Sequence, residues 1–177
     1  MKRNIMVGIF TGLSSLIFVG VAHAASSPIV NGSFQTGDFT GWIISDSTHC
    51  RFGICGNGTA AVQNCLPAAP GDADGHCAVL SGPNVWISQG LPATSAHQYT
   101  FGACAKHSGP GSVQVTGTAN FALSGDTGWV CQTKTVNNPY GVPQRLPAIG
   151  ATVFPDSKTG LSGTAYVDQF TFTVNKP

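Results

Sequence analysis

Short runs of alternating apolar and polar residues, broken by Gly, Pro and Ser clusters, make up most of the chain. Ile29 and Val30 open an apolar patch before Asn31-Gly32. Val85, Ile87 and Leu91 share one parity, with Trp86 and Ser88 on the other. Tyr99, Phe101 and Ala103 alternate with Thr100, Gly102 and Cys104. Val113 and Val115 alternate with Ser112, Gln114 and Thr116, and Phe121 and Leu123 repeat the pattern. Phe170, Phe172 and Val174 share a face opposite Thr171 and Thr173. Period two in short runs bounded by turn residues is the signature of antiparallel strands with one face buried. Several such strands predict an all-β fold, a two-sheet antiparallel sandwich of jelly-roll type. Residues 137–162 are rich in Pro and Gly and predict loops with one edge strand. Residues 45–75 carry little apolar periodicity of their own.

The start of the chain reads differently. Lys2 and Arg3 precede an uncharged apolar run, and Ala22-His23-Ala24 fits a small-x-small cleavage pattern. This predicts a signal peptide over 1–24, with an uncleaved anchor as the alternative. Residues 25–177 then form one domain, the expectation for this length. Loss of Lys2 and Arg3 leaves six basic against seven acidic residues. That balance gives no electrostatic reason to bind nucleic acid or anionic lipid. No second apolar run is long enough to span a bilayer, so no membrane contact is expected after cleavage. The chain has no glutamate, and only 8% of its residues are charged. Long solvated helices normally carry Glu and Lys, so composition again favours strands.

The cysteines fit an exported protein, extracellular or periplasmic. Cys50, Cys55, Cys65, Cys77, Cys104 and Cys131 are an even set beyond the predicted cleavage site, which predicts three disulfides. Nearest-neighbour pairing gives 50–55, 65–77 and 104–131, although six cysteines allow about 15 connectivities. A zinc site is the alternative, but no C-x2-C pair is present. The first two bridges would staple the weakly patterned stretch 45–75.

One segment resembles a known family. Asn31-Gly32-Ser33-Phe34-Gln35-Thr36-Gly37-Asp38-Phe39-Thr40-Gly41-Trp42 looks like the opening of secreted bacterial carbohydrate-binding-module-like jelly rolls. These belong to the galactose-binding-like superfold and are common in PEP-CTERM-type surface proteins. The pieces from Asp74 to Leu80, Val85 to Gln89 and Tyr99 to Phe101 resemble the middle strands, and Tyr166-Val167-Asp168-Gln169-Phe170 resembles the closing strand. The resemblance implies a structural calcium ion held near Gln35 and Asp168, beside each other where the first and last strands meet. The chain departs from the usual pattern twice, with Gln35 in place of Glu and Gln169 in place of a second Asp. Asp168 shares parity with Phe170, which predicts that it points inward. Asp72-Ala73-Asp74-Gly75 is a further candidate, but reads first as a plain turn.

A sugar site needs a flat aromatic face with a few hydrogen-bonding groups. Trp42 and Trp129 each follow a Gly and take core positions in the pattern. Trp86 lies between inward Val85 and Ile87 and so faces outward, unless the cysteine-rich loop covers it. Tyr140, Phe52 and Arg145 lie in loop-like sequence and could line the same site. The resulting reading is a secreted, non-catalytic protein that binds a polysaccharide or cell-surface glycan. A structural or adhesive matrix protein is the alternative. A hydrolase fits less well: there is no H-E-x-x-H motif, no G-x-S-x-G elbow and no Glu for a carboxylate pair.

Overall fold

The structure, a computed structural model, describes residues 28–51, 53–117 and 120–177. The predicted signal peptide and Phe52 lie outside the described residues. Ten strands follow in chain order: β1 (Ile43–Ser45), β2 (Thr59–Asn64), β3 (His76–Ser81), β4 (Trp86–Gln89), β5 (Gln98–Ser108), β6 (Ser112–Thr116), β7 (Phe121–Ser124), β8 (Val130–Asn137), β9 (Ile149–Phe154) and β10 (Thr164–Lys176). They form two five-stranded sheets, β1-β4-β9-β6-β7 and β2-β3-β10-β5-β8. Every strand pairing is antiparallel. The fold is the predicted two-sheet sandwich.

The core lies between the sheets. Ile87, Val113, Val115, Ile149, Ala151 and Val153 face it from the first sheet, and Leu80, Tyr99, Phe101, Ala105, Val167 and Phe172 from the second. Full burial of each large apolar side chain contributes about 1.5–3 kcal/mol. The opening motif builds one end of this core. Trp42 lies 4.8 Å from Phe170 and 5.3 Å from Phe34, ring centroid to centroid. Its Nε1 donates to Asn31 O at 3.1 Å. Gly32 must be glycine, because a Cβ there would strike the carbonyl of Phe170.

The bridges join Cys50 to Cys55, Cys65 to Cys77 and Cys104 to Cys131, and no described cysteine is free.

Four expectations need correction. β9 is no edge strand; it lies at the centre of its sheet, between β4 and β6. Prolines flank it and Gly150 interrupts it, which weakens its signal. Gly150 is nonetheless needed, since a Cβ would meet the carbonyl of Ile87. The stretch 45–75 holds a strand, β2, whose half-buried Ala60 and Val62 pack against the core. Trp129 packs outside the main core, against a cluster of Cys65, Cys77 and Val79. Its Nε1 donates to Pro67 O at 2.8 Å.

The fourth correction concerns Asp168. The ladder to β5 shifts register between Asp168 and Thr171, so two residues oppose one. This bulge, with Gln169 at φ 54°, reverses parity along β10. Phe170 and Phe172 point into the core, whereas Asp168 takes the side of Tyr166, on the outer face of the second sheet. It is fully buried all the same.

Candidate functional site

The outer face of the first sheet carries Trp86. Strand register places Ser45, Trp86, Thr152, Gln114 and Ala122 in one row across all five strands. Neighbouring strands lie about 4.8 Å apart, so adjacent side chains in this row can touch one ligand. Ser88 and Thr116 follow two residues further along on the same face, and Phe154 and Ser112 on its other side. Alternation along β1, β4, β6, β7 and β9 brings no charged side chain to this face. Trp86 is half-buried. Its β1 neighbour Ser45 is fully buried and donates from Oγ to Ile54 O at 3.1 Å. The Cys50–Cys55 loop therefore sits at one end of the row and leaves the side towards Thr152 and Gln114 open.

The remaining ligand candidates lie elsewhere. Tyr140, 84% exposed, and exposed Arg145 belong to the loop before β9. That loop joins the segment after β4 through the Thr94–Gln144 bridge and the Asn138 N–H bond to His97 O. This is the far end of β4 and β9 from Trp86. Sequence parity alone turned Gln114 outward. Thr152 and Phe154 were missed with the strand that carries them.

A second polar centre surrounds Asp168. It pairs with Cys104, which pairs with Cys131, and one further step of register brings it level with Cys77. Asp168 thus lies between two disulfides. Its Oδ1 accepts from Gln169 N at 2.6 Å, and its buried Oδ2 has no partner among the described residues. Asp72 does form the expected turn, accepting from Asp74 N at 3.1 Å on Oδ1. Its Oδ2 is also buried and partnerless. Burial pushes the Asp168 carboxyl up to about 7, the bond from Gln169 acts against this, and the charge of Asp72 raises it further. Gln35 is exposed and lines a neighbouring cleft with Ala73 and Gln169.

Asp46, Thr48 and His49 form a hydrogen-bonded cluster, with His49 Nδ1 2.9 Å from Asp46 Oδ1. Burial raises the Asp46 carboxyl, but bonds from Thr48 and His49 outweigh it and leave the group well below the usual carboxylate range. Thr48 Oγ1 and Asp46 Oδ1 both meet His49 Nδ1, at 2.8 and 2.9 Å. A catalytic triad needs the acid and the nucleophile on opposite ring nitrogens. The cluster is built as a turn.

No family model matches the chain, and no curated protein matches it. Solved structures do. The enzymatically active domain of bacteriophage CBA120 tailspike protein 4 is similar at TM-score 0.59 and 14% identity, over 84% of this chain and 21% of that one. The chain thus spans about a fifth of the tailspike domain. A family 61 carbohydrate-binding module, solved with beta-1,4-galactotriose, is similar at TM-score 0.54 and 15% identity, over 85% and 100%. A family 16 carbohydrate-binding module is similar at TM-score 0.52 and 17% identity, over 82% and 99%. At these identities the likeness is one of fold alone, a two-sheet β-sandwich that these carbohydrate-binding modules share.

Proposed function

We propose that the chain is an exported, non-catalytic protein that binds a glycan on the outer face of its first sheet. The observation that carries this is the row of Trp86, Thr152 and Gln114. An indole face offers apolar area for the C–H side of a sugar ring, and the hydroxyl and amide beside it match sugar hydroxyls. The patch is centred on Trp86 and leaves Tyr140 and Arg145 outside it. Modules of known glycan-binding families share the fold, and three disulfides suit an oxidising compartment. A glycan array run with the wild type and Trp86→Ala tests the reading. Selective binding lost in the variant supports it; binding to no glycan, or binding untouched by the substitution, refutes it.

The proposal includes a structural calcium ion beside Asp168. The two partnerless buried oxygens, Asp168 Oδ2 and Asp72 Oδ2, fit a hard cation that takes oxygen ligands. Among the described residues no group of three or more His, Cys, Asp or Glu is placed to hold a metal. The other ligands are therefore carbonyls, water or the Gln35 amide. Bound there, the ion would neutralise the carboxylate pair and fix the Cys65–Cys77 loop over β10.

A further inference from the structure

Phe154 is the last residue of β9 and is 38% exposed. Ala151 and Val153 turn into the core, so alternation turns Thr152 and Phe154 to the outer face of the first sheet. Trp86 pairs with Thr152 across the β4–β9 ladder, and Phe154 stands two residues further along β9. Trp86 and Phe154 are therefore diagonal neighbours, with Cβ atoms about 7–8 Å apart. One ligand can reach both rings. A single sugar ring is narrower than this and lies flat on one aromatic face at a time. On β6, Gln114 stands opposite Thr152 and Ser112 opposite Phe154. Thr152, Gln114 and Ser112 thus run along one flank of the two rings and offer hydroxyl and amide groups to a chain laid over them.

Charge narrows the ligand class. The strand positions of this face carry no charged side chain. In the turns at this end of the sheet, Asp46 and Arg51 follow β1, and Asp156 and Lys158 follow β9. Both signs are present and neither dominates. An acidic sugar would lose water from its carboxylate here with no cation on the face to offset the loss. The two rings are interleaved with hydroxyl and amide groups, which suits a polyhydroxylated chain better than the apolar centre of a protein interface. Resting on the glycan-binding reading of this face, we infer that it takes a linear, uncharged oligosaccharide of at least two units, with one unit stacked on Trp86 and another on Phe154.

Isothermal titration tests this with ladders, from the single sugar to the hexamer, of β-1,4-linked glucose, galactose, mannose and xylose and of α-1,4-linked glucose. For at least one ladder, affinity is expected to rise at least tenfold from the single sugar to the longer members. Phe154→Ala should remove that gain. Phe154→Leu, which keeps the apolar bulk but no flat face, should remove it too, whereas Phe154→Tyr should retain it. Trp86→Ala should remove binding at every length. Tetramers of β-1,4-glucuronate and α-1,4-galacturonate should bind at least tenfold more weakly than the best neutral tetramer. The inference is overturned, with the Trp86 site left standing, if Phe154→Ala and Phe154→Leu follow the wild type along the ladder. The same holds if the single sugar binds as tightly as the longer members, or if an acidic tetramer binds best. If no ladder binds, the inference falls as well. A glycan array that then shows Trp86-dependent binding of another glycan keeps the wider reading, and one that shows none removes both. Self-association abolished by Trp86→Ala and by Phe154→Leu, with no glycan bound, would make the patch a protein interface and overturn the inference.

Discussion

Asp72, in the loop closed by Cys65 and Cys77, and Asp168 on β10 each carry a buried carboxylate oxygen without a partner among the described residues, and the charge of Asp72 raises the Asp168 carboxyl. Two carboxylates without a counter-charge disfavour each other's ionised form. Burial, with the charge of Asp72 adding to it, lets Asp168 hold its proton up to about pH 7.

This gives a pH dependence of definite sign. Unfolded, Asp168 titrates near about 3.9; folded, it titrates near about 7. Between those values the folded state binds the proton and the unfolded state does not. In chelator, the contribution of Asp168 should therefore be complete near about pH 4 and fall towards pH 7, by up to about 4 kcal/mol. Asp38, Asp46, Asp126 and Asp156 lie below the usual range through turn hydrogen bonds, so their contributions are complete above about pH 5. Asp168→Asn should flatten the curve. Melting temperatures in chelator that stay level or rise across this range in the wild type would contradict the account.

Calcium should reverse that slope, because it favours the charged pair. At a hundredfold excess over Kd it should add about 2.7 kcal/mol. Asp168→Ala and Asp72→Ala should each remove the calcium effect on the melting temperature. Gln35→Glu should enlarge it by returning a carboxylate to the site. If the melting temperature ignores both calcium and chelator near neutral pH, the ion is not part of the protein.

Trp42 and Trp86 should separate binding from stability. Trp42 is buried against Phe34 and Phe170 and donates to Asn31 O. Its replacement by Ala should cost on the order of 3–5 kcal/mol, as for other core aromatics. Trp86 is half-buried, and its loss should cost roughly half of that or less while removing glycan binding. Denaturant melts paired with glycan titrations read both quantities. If Trp86→Ala unfolds the domain while binding follows Trp42, the faces are wrongly assigned.

Much of the sandwich was legible because its inner faces alternate cleanly, as Val113 and Val115 do between Ser112, Gln114 and Thr116. What stayed hidden has physical causes. β9 carries a Gly where the Ile87 backbone approaches, and that costs the strand its pattern. β2 is an edge strand whose half-buried residues are small, so burial left little trace in its composition. Asp168 was placed on the wrong face because a bulge inserts one residue, and period-two counting has no means of seeing it. The Trp86 position was readable from Val85 and Ile87 alone. Its companions Thr152 and Phe154 depended on the strand that was not seen.

Gln89 shows a role that no pattern announced. Its buried amide donates to Val30 O at 3.0 Å and Gly41 O at 2.9 Å, and accepts from Val30 N at 2.8 Å. It thereby fastens the opening loop to β4. Gln89→Leu should leave three backbone groups without their partner, each costing about 1–3 kcal/mol where water cannot replace it. Chemical denaturation should show a lower midpoint, with Trp42 fluorescence reporting the loosened loop. An unchanged midpoint would mean that water substitutes for the amide.

The disulfides supply the last test. Titration of the denatured, unreduced protein should find no thiol, since all six cysteines are paired. The Cys65–Cys77 bridge closes the loop over Asp168, whereas Cys50–Cys55 lies at the far edge of the other sheet beside Ser45. Replacing each pair by Ala should therefore act differently. Loss of Cys65–Cys77 frees the loop, admits water to the carboxylates and should bring Asp168 back towards the ordinary carboxylate range. The fall in stability between about pH 4 and 7 should then shrink. Loss of Cys50–Cys55 should leave that pH dependence intact and alter glycan binding instead, because its loop borders the Trp86 row. Both variants lose some stability, on the order of 2–4 kcal/mol for a native bridge, so the total fall does not discriminate between them. The slope with pH does. An unchanged slope without Cys65–Cys77 would show that the loop does not exclude water from Asp168, and that its raised carboxyl needs another cause.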